Sequence, residues 1–154
     1  MSQHLASFED LVAYLVKQGV PHQVDAANRA VQVATKPPAL PSVVFVRWEQ
    51  AIPYVQVIQQ ITSGQVPDGR LREVETALAR VNDVAMIPGY GFSYQTKVIY
   101  YRLAVPIYDG GITADSLDQA MTTVLNNALQ LQPALQKVVD GAPGASVFDY
   151  MPKK

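Results

Sequence analysis

The sequence contains no cysteine. Disulfides, thiolate nucleophiles and cysteine-ligated metals are therefore excluded. Histidine is almost as scarce. His4 and His22 are the only two, one on each side of the first helical pattern. A metal site needs several convergent ligands whose own partners orient them, so both read as solvated side chains. Charge is sparse as well: charged residues make up 16% of the chain, against a usual ~25%. The net charge is −1, and Lys153-Lys154 is the only adjacent basic pair. Nucleic-acid binding needs a basic stripe that neutralises several phosphates, so that class is set aside. No hydrophobic run approaches the ~20 residues of a membrane span. Glu9 and Asp10 come early, where a secretory signal would carry a basic and then an apolar region. These absences point to a cytoplasmic protein without metal or cofactor.

What is present is enough apolar material for one domain. The chain has 154 residues, 49% of them hydrophobic. A domain of about 150 residues buries roughly 68–70% of its unfolded surface and needs no staples. The spacing predicts an α+β domain over residues 1–140 and a tail over 141–154, in the order α-β-β-β-α-β-β-α. It predicts an antiparallel sheet of about five strands with helices packed on one face.

The stretch that organises this reading runs from residue 94 to residue 139. Ile99, Tyr101, Leu103, Val105 and Ile107 alternate with Val98, Tyr100, Arg102, Ala104 and Pro106. Successive strand side chains point to opposite faces, so the first set forms one apolar face. Asp109-Gly110-Gly111 stops the strand, because glycine supplies the positive φ of a tight reversal. Thr113 then caps a helix, with Ile112 and Leu117 placed as a hydrophobic staple. Leu117, Met121, Val124, Leu125 and Ala128 share one stripe. Pro133 predicts a kink or break near Gln132.

Upstream, Ser7 caps a helix whose Phe8, Leu11, Val12, Leu15 and Val16 form one face, and Gly19 and Pro21 end it. Residues 30–34 and 43–48 read as strands, separated by a loop with three prolines between Lys36 and Pro41. Residues 54–62 read as a third strand, partly apolar on both faces, which suggests a central strand or one whose outer face meets something. Asp68 is placed to cap a second helix carrying Leu71, Val74, Leu78 and Val81. Ala85 to Tyr94, interrupted by Pro88-Gly89-Tyr90-Gly91, reads as a kinked edge strand paired with Val98 to Tyr108. In the tail, Val147, Phe148, Tyr150 and Met151 are unusually apolar, which leaves three readings: docking on their own domain, docking on a partner, or disorder.

Several segments carry a resemblance. They are Ala79-Arg80-Val81-Asn82, Ile99-Tyr100-Tyr101-Arg102-Leu103-Ala104-Val105-Pro106, Gly110-Gly111-Ile112-Thr113 and Gln132-Pro133-Ala134-Leu135. Over roughly the C-terminal half, the chain resembles the YbjN-like family of bacterial sensory transduction regulators, whose fold is that of type III secretion chaperones. The resemblance implies a homodimer. It also implies binding of extended partner segments along apolar patches of sheet or helix, and it brings no catalytic residue. The chain departs from the pattern at Pro88-Gly89-Tyr90-Gly91, and it lacks the strong acidity of the chaperone branch.

The polar residues read as structural. Arg70–Glu73 and Arg72–Glu75 fit helix ion pairs. Asp115 and Asp118 suit the dipole of the last helix. Gly89-Tyr90-Gly91 lacks the lysine and the helix of a phosphate loop. The aromatics are more informative. Tyr100, Arg102 and Tyr108 fall on the face away from the helices, and Trp48 and Tyr54 fall on neighbouring strands. Tyr, Trp and Arg are enriched at binding hot spots, whereas cross-strand aromatic pairing would explain them without a partner. The expectation is a non-enzymatic protein-binding or regulatory dimer using Trp48, Tyr54, Tyr100, Arg102 and Tyr108. The alternatives are a small-molecule-binding domain and a structural subunit of a larger assembly.

Overall fold

The structure is a computed structural model that describes residues 2–36, 40–41, 43–49 and 51–153. The expected proline loop falls in part, at residues 37–39, outside the described residues, as does Lys154 of the basic pair. The strands are β1 His4–Leu5, β2 His22–Asp25, β3 Ala30–Ala34, β4 Val43–Trp48, β5 Tyr54–Gln60, β6 Tyr90–Ser93, β7 Val98–Pro106 and β8 Ile112–Thr113. The helices are α1 Phe8–Lys17, α2 Leu71–Val84 and α3 Ala114–Val139, with short 3-10 segments at Asp68–Arg70 and Gly144–Tyr150. The fold is α+β, as the spacing predicts. Six strands form an antiparallel sheet in the order β2-β3-β4-β5-β7-β6, and β1 pairs with β8 in a second, two-stranded sheet. The extra strand in the larger sheet is β2. Its sequence, His-Gln-Val-Asp, is mostly exposed and has too little apolar alternation to reveal a strand.

By contact, the chain forms two compact units. The first comprises Met1–Lys36, Ser42–Gln59 and Leu103–Leu125. Here Ser7 Oγ accepts from the Asp10 amide at 3.1 Å and starts α1. Gly19, at φ 66°, ends it. Phe8, Leu11, Tyr14 and Leu15 are the buried face. In the sheet, Val31 faces Val46 and Val33 faces Val44, while Val46 faces Val57 and Trp48 faces Val55. All seven are buried, so one side of these strands is core. The chain reverses through Asp109 and Gly110, at φ 48° and 78°. Thr113 Oγ1 then accepts from the Ser116 amide at 3.1 Å, and Ile112 and Leu117 are both buried, as a staple requires. His4 is exposed but held in a strand: it pairs with Thr113, and a side chain added at Gly111 would meet its imidazole at 2.6 Å.

Tyr14 ties α1 to the start of α3 by donating to Asp118 Oδ2 at 2.6 Å. This bond, followed by burial and the charges of Asp118 and Asp115, pushes the phenol up to about 12. An unfolded tyrosine ionises near ~10. The contact's contribution to stability is therefore complete below pH ~10 and is lost as pH rises through the folded value. Tyr14→Phe should flatten the alkaline limb of the stability curve between these two values. Parallel limbs in denaturant titrations of the two proteins would show that the bond carries no such linkage.

The second unit comprises Pro37–Pro41, Gln60–Arg102 and Asn126–Lys154. Ile99 and Tyr101 are fully buried here, and the Ile99 amide donates to the buried Thr62 hydroxyl at 3.2 Å. Val74, Ala77, Leu78 and Val81 form the buried stripe of α2. Asp68 makes no side-chain cap and instead pairs with Lys97 at 2.8 Å. Of the kink or break expected at Pro133, the break does not occur: α3 runs from Ala114 to Val139 with the proline inside it. An internal proline costs ~3 kcal/mol. Leu131, Ala134, Leu135 and Val138 are all buried around it, and burial of one Leu or Val contributes about 1.5–3 kcal/mol. Packing on both flanks of the proline thus outweighs the lost backbone bond.

Beyond α3, residues 144–150 fold onto α2. The Arg70 guanidinium donates to the carbonyls of Val138 at 2.7 Å and Ala142 at 2.5 Å. The Gly144 amide donates to Glu73 Oε2 at 2.6 Å. Val147 is fully buried. Arg70 and Glu73, expected to pair with each other, thus bracket the C-terminal segment instead. Glu75 takes its hydrogen bond from the Tyr94 hydroxyl rather than from Arg72.

Candidate functional site

One side of the sheet is core, and the alternate residues make up the other side. In the first unit that outer side carries Val43, Phe45, Gln56 and Ile58, all half-buried, with Arg47 and Tyr54 exposed. Phe45 lies opposite Ile58, and Arg47 opposite Gln56. Arg47 is neutralised by Glu49 at 3.1 Å. The result is a small aromatic and aliphatic patch rimmed by amides.

In the second unit the outer side of β6 and β7 is built around Tyr100, which lies directly opposite Gly91. Its ring covers the glycine so closely that an added Cβ would sit 2.6 Å from Cζ. The Arg102 guanidinium lies 5.7 Å from the centre of the same ring, within cation–π range. Arg102 is exposed and Tyr100 half-buried. Gly91 therefore fixes the ring by leaving it room, and the ring in turn carries the arginine. Tyr100 thus has a glycine, not another aromatic, as its cross-strand partner.

The other candidates fall elsewhere. Trp48 is on the core side of β4, only 7% exposed, and offers a partner little surface. Its place follows from the strand's phase, in which Val44, Val46 and Trp48 point inward together. Tyr108 is 73% exposed but lies beyond β7, in the reversal bridged to Gly111.

On the core side of the second unit, Tyr90 and Tyr101 stack at 4.7 Å. Their hydroxyls donate to the carbonyls of Asn127 and Ile87, each at 3.0 Å. Burial pushes both phenols up, further for Tyr90. They stay neutral, and their hydrogen bonds run to backbone oxygens, which suits a structural role. Asn82 completes this corner. Its Oδ1 accepts from the amides of Gly89 and Tyr90 at 3.1 and 3.0 Å, and its Nδ2 donates to the Tyr90 carbonyl at 2.7 Å. Sequence reasoning missed this bracket, because an Asn near a helix end gives no sign of which strand it meets.

A shallow cleft of about 250 Å³ in the first unit is lined by Asn28, Arg29, Arg47, Trp48 and Glu49. The Arg29 guanidinium lies 5.5 Å over Phe8, and its buried Nε has no hydrogen-bond partner. Among the described residues, no His, Asp or Glu cluster could hold a metal, and no helix is long and apolar enough to cross a membrane.

An antiparallel sheet with one side buried, and with aromatic and arginine side chains presented on the other, defines a small α+β module. More particularly, the chain belongs to the YbjN family: the family model, described as a putative bacterial sensory transduction regulator, matches residues 9–137, most of the chain. The match reaches back to α1 and so takes in the N-terminal half. No curated protein matches the sequence.

Proposed function

We propose that this protein is a non-enzymatic regulatory module of the bacterial cytoplasm that works as a homodimer and binds a protein partner on the outer side of β6 and β7. The observation that carries the reading is the Tyr100–Arg102 pair, seated on Gly91. A planar ring with a cation over it is a compact anchor for a partner segment, and such residues dominate binding energies. Capture of an extended segment, in the manner of the secretion-chaperone fold, needs an apolar strip of this kind. A location in the cytoplasm suits a chain without cysteine.

Co-purification of the tagged protein from its native cell tests the reading. Tyr100→Asp and Arg102→Glu should each lose the partner, by tenfold or more in affinity, while the melting temperature of the second variant stays within a few degrees of the parent. Arg102 is exposed, so its loss cannot be confused with unfolding. If both variants keep the partner, this face is not the site. A parent protein that carries no partner at all would move the reading to small-molecule sensing, with the cleft beside Arg29 as the first place to look.

A further inference from the structure

The two outer strands of the large sheet are β2 and β6, and they are treated differently. An unpaired strand edge is a template for another strand, and proteins blunt such edges with charge, proline or a covering group. On β6, the amide of Arg102 donates to the Gly89 carbonyl, and Tyr90 is registered with Tyr101. Pairs alternate along an antiparallel ladder, so Tyr90 turns its own N–H and C=O away from β7. The Asn82 side chain meets both. At Tyr90 it acts as a one-residue substitute for a missing strand.

β2 has no such cover. The Ala34 amide donates to the Pro21 carbonyl at 2.9 Å, and the register pairs Gln23 with Gln32 and Asp25 with Ala30. By the same alternation, Gln23 and Asp25 turn their backbone groups toward β3, while His22 and Val24 turn theirs outward. Among the described residues, no strand pairs with that edge. Residues 22–24 contain no lysine, proline or acid. Asp25 is held back in the turn by Asn28, whose side-chain amide donates to it at 2.7 Å.

The edge is self-complementary. A two-fold axis perpendicular to the sheet must pair residues of equal parity across it. With the axis beside Gln23, His22 of one copy lies opposite Val24 of the other, and both residues turn their N–H and C=O outward. This register closes four backbone hydrogen bonds and sets the two Gln23 amides side by side. The edge also carries an apolar side chain. Val24 lies opposite buried Val31, on the core side of the strand, yet is 46% exposed.

We infer that β2 is the dimer contact: two copies of this chain join antiparallel through their β2 edges, with Val24 covered in the joint. This gives the homodimer proposed above its interface. It is separate from the Tyr100 face, so the two readings fail independently.

Light scattering and amide exchange on the full chain test it. The expected mass is twice the 16.8 kDa of the chain. The amides of His22 and Val24 should be protected like those of Gln23 and Asp25, and should lose that protection on dilution. Val24→Lys leaves the β2–β3 ladder intact and should weaken association at least tenfold with unchanged circular dichroism. Val24→Pro, which removes only an outward N–H, should do the same. A dimer whose His22 and Val24 amides exchange freely, and which both variants leave intact, uses another face and overturns the inference. A chain that stays monomeric at about millimolar concentration overturns both the contact and the dimer, and leaves partner binding at Tyr100 standing. Protection of these amides only in a complex with a different protein overturns the second-copy reading in favour of a borrowed strand.

Discussion

Tyr101→Ala is expected to lower the stability of the protein by about 3–5 kcal/mol, the range for removing a buried aromatic side chain. Tyr101 is the largest fully buried side chain. Its ring packs against Tyr90 at 4.7 Å, and its hydroxyl supplies the Ile87 carbonyl with a donor at 3.0 Å. Alanine would remove all of this and leave a cavity beneath the β6–β7 pair. Tyr101→Phe separates the contributions. It keeps the ring and loses only the donor, for about 0.5–1.5 kcal/mol. Urea unfolding reads both effects as a fall in midpoint at constant slope. A cost for the alanine variant no greater than that for phenylalanine would mean that the ring contributes nothing beyond its hydroxyl.

Gly144→Ala should be the most damaging single-methyl change. The backbone angle at this glycine is ordinary, so the demand for glycine is one of space. An added Cβ would run into the Glu73 carbonyl oxygen and would lie 3.1 Å from the Ala77 nitrogen. Both are backbone atoms of α2 and cannot swing aside. Overpacking of this kind costs typically ~1–3 kcal/mol. The segment Gly144–Tyr150 would have to lift, withdrawing Val147 from its site and the Gly144 amide from Glu73. Limited proteolysis should then cut after Lys137 faster than in the parent. Glu73→Gln is the control: it keeps the shape, weakens one charge-assisted bond and should leave the segment seated. If the alanine variant is as stable and as resistant as the parent, α2 yields at that point and the close approach is incidental.

The parts of this fold that were legible in the sequence are those in which one local signal suffices. Ser7 and Thr113 cap their helices through side-chain oxygens only three residues from their targets. The alternation over residues 98–107 gave the phase of β7 correctly, with Ile99 and Tyr101 inward and Arg102 outward. What stayed hidden depends on distant partners. β2 is a strand because β3 lies beside it, and its own residues show no pattern. Arg70 meets carbonyls 68 and 72 residues away, so its nearest helical neighbour, Glu73, was the natural but mistaken partner. Trp48 was placed by its residue type, and the phase of β4 decides otherwise. Of the outer face, Tyr100 and Arg102 were readable from alternation, but Gly91, which seats the ring, was not.

The C-terminal segment also bears on how the chain is made. Gly144 and Glu73 are 71 residues apart, and synthesis adds roughly 5–20 residues per second. One flank of α2 therefore emerges from the ribosome about 4–14 s before the residues that cover it. During that interval the nascent helix shows an apolar stripe and carries an Arg70 with no carbonyls to hold. Residues 144–150 close this flank of the second unit, so termination before residue 144 would release a chain whose α2 stripe stays open to holding factors and proteases.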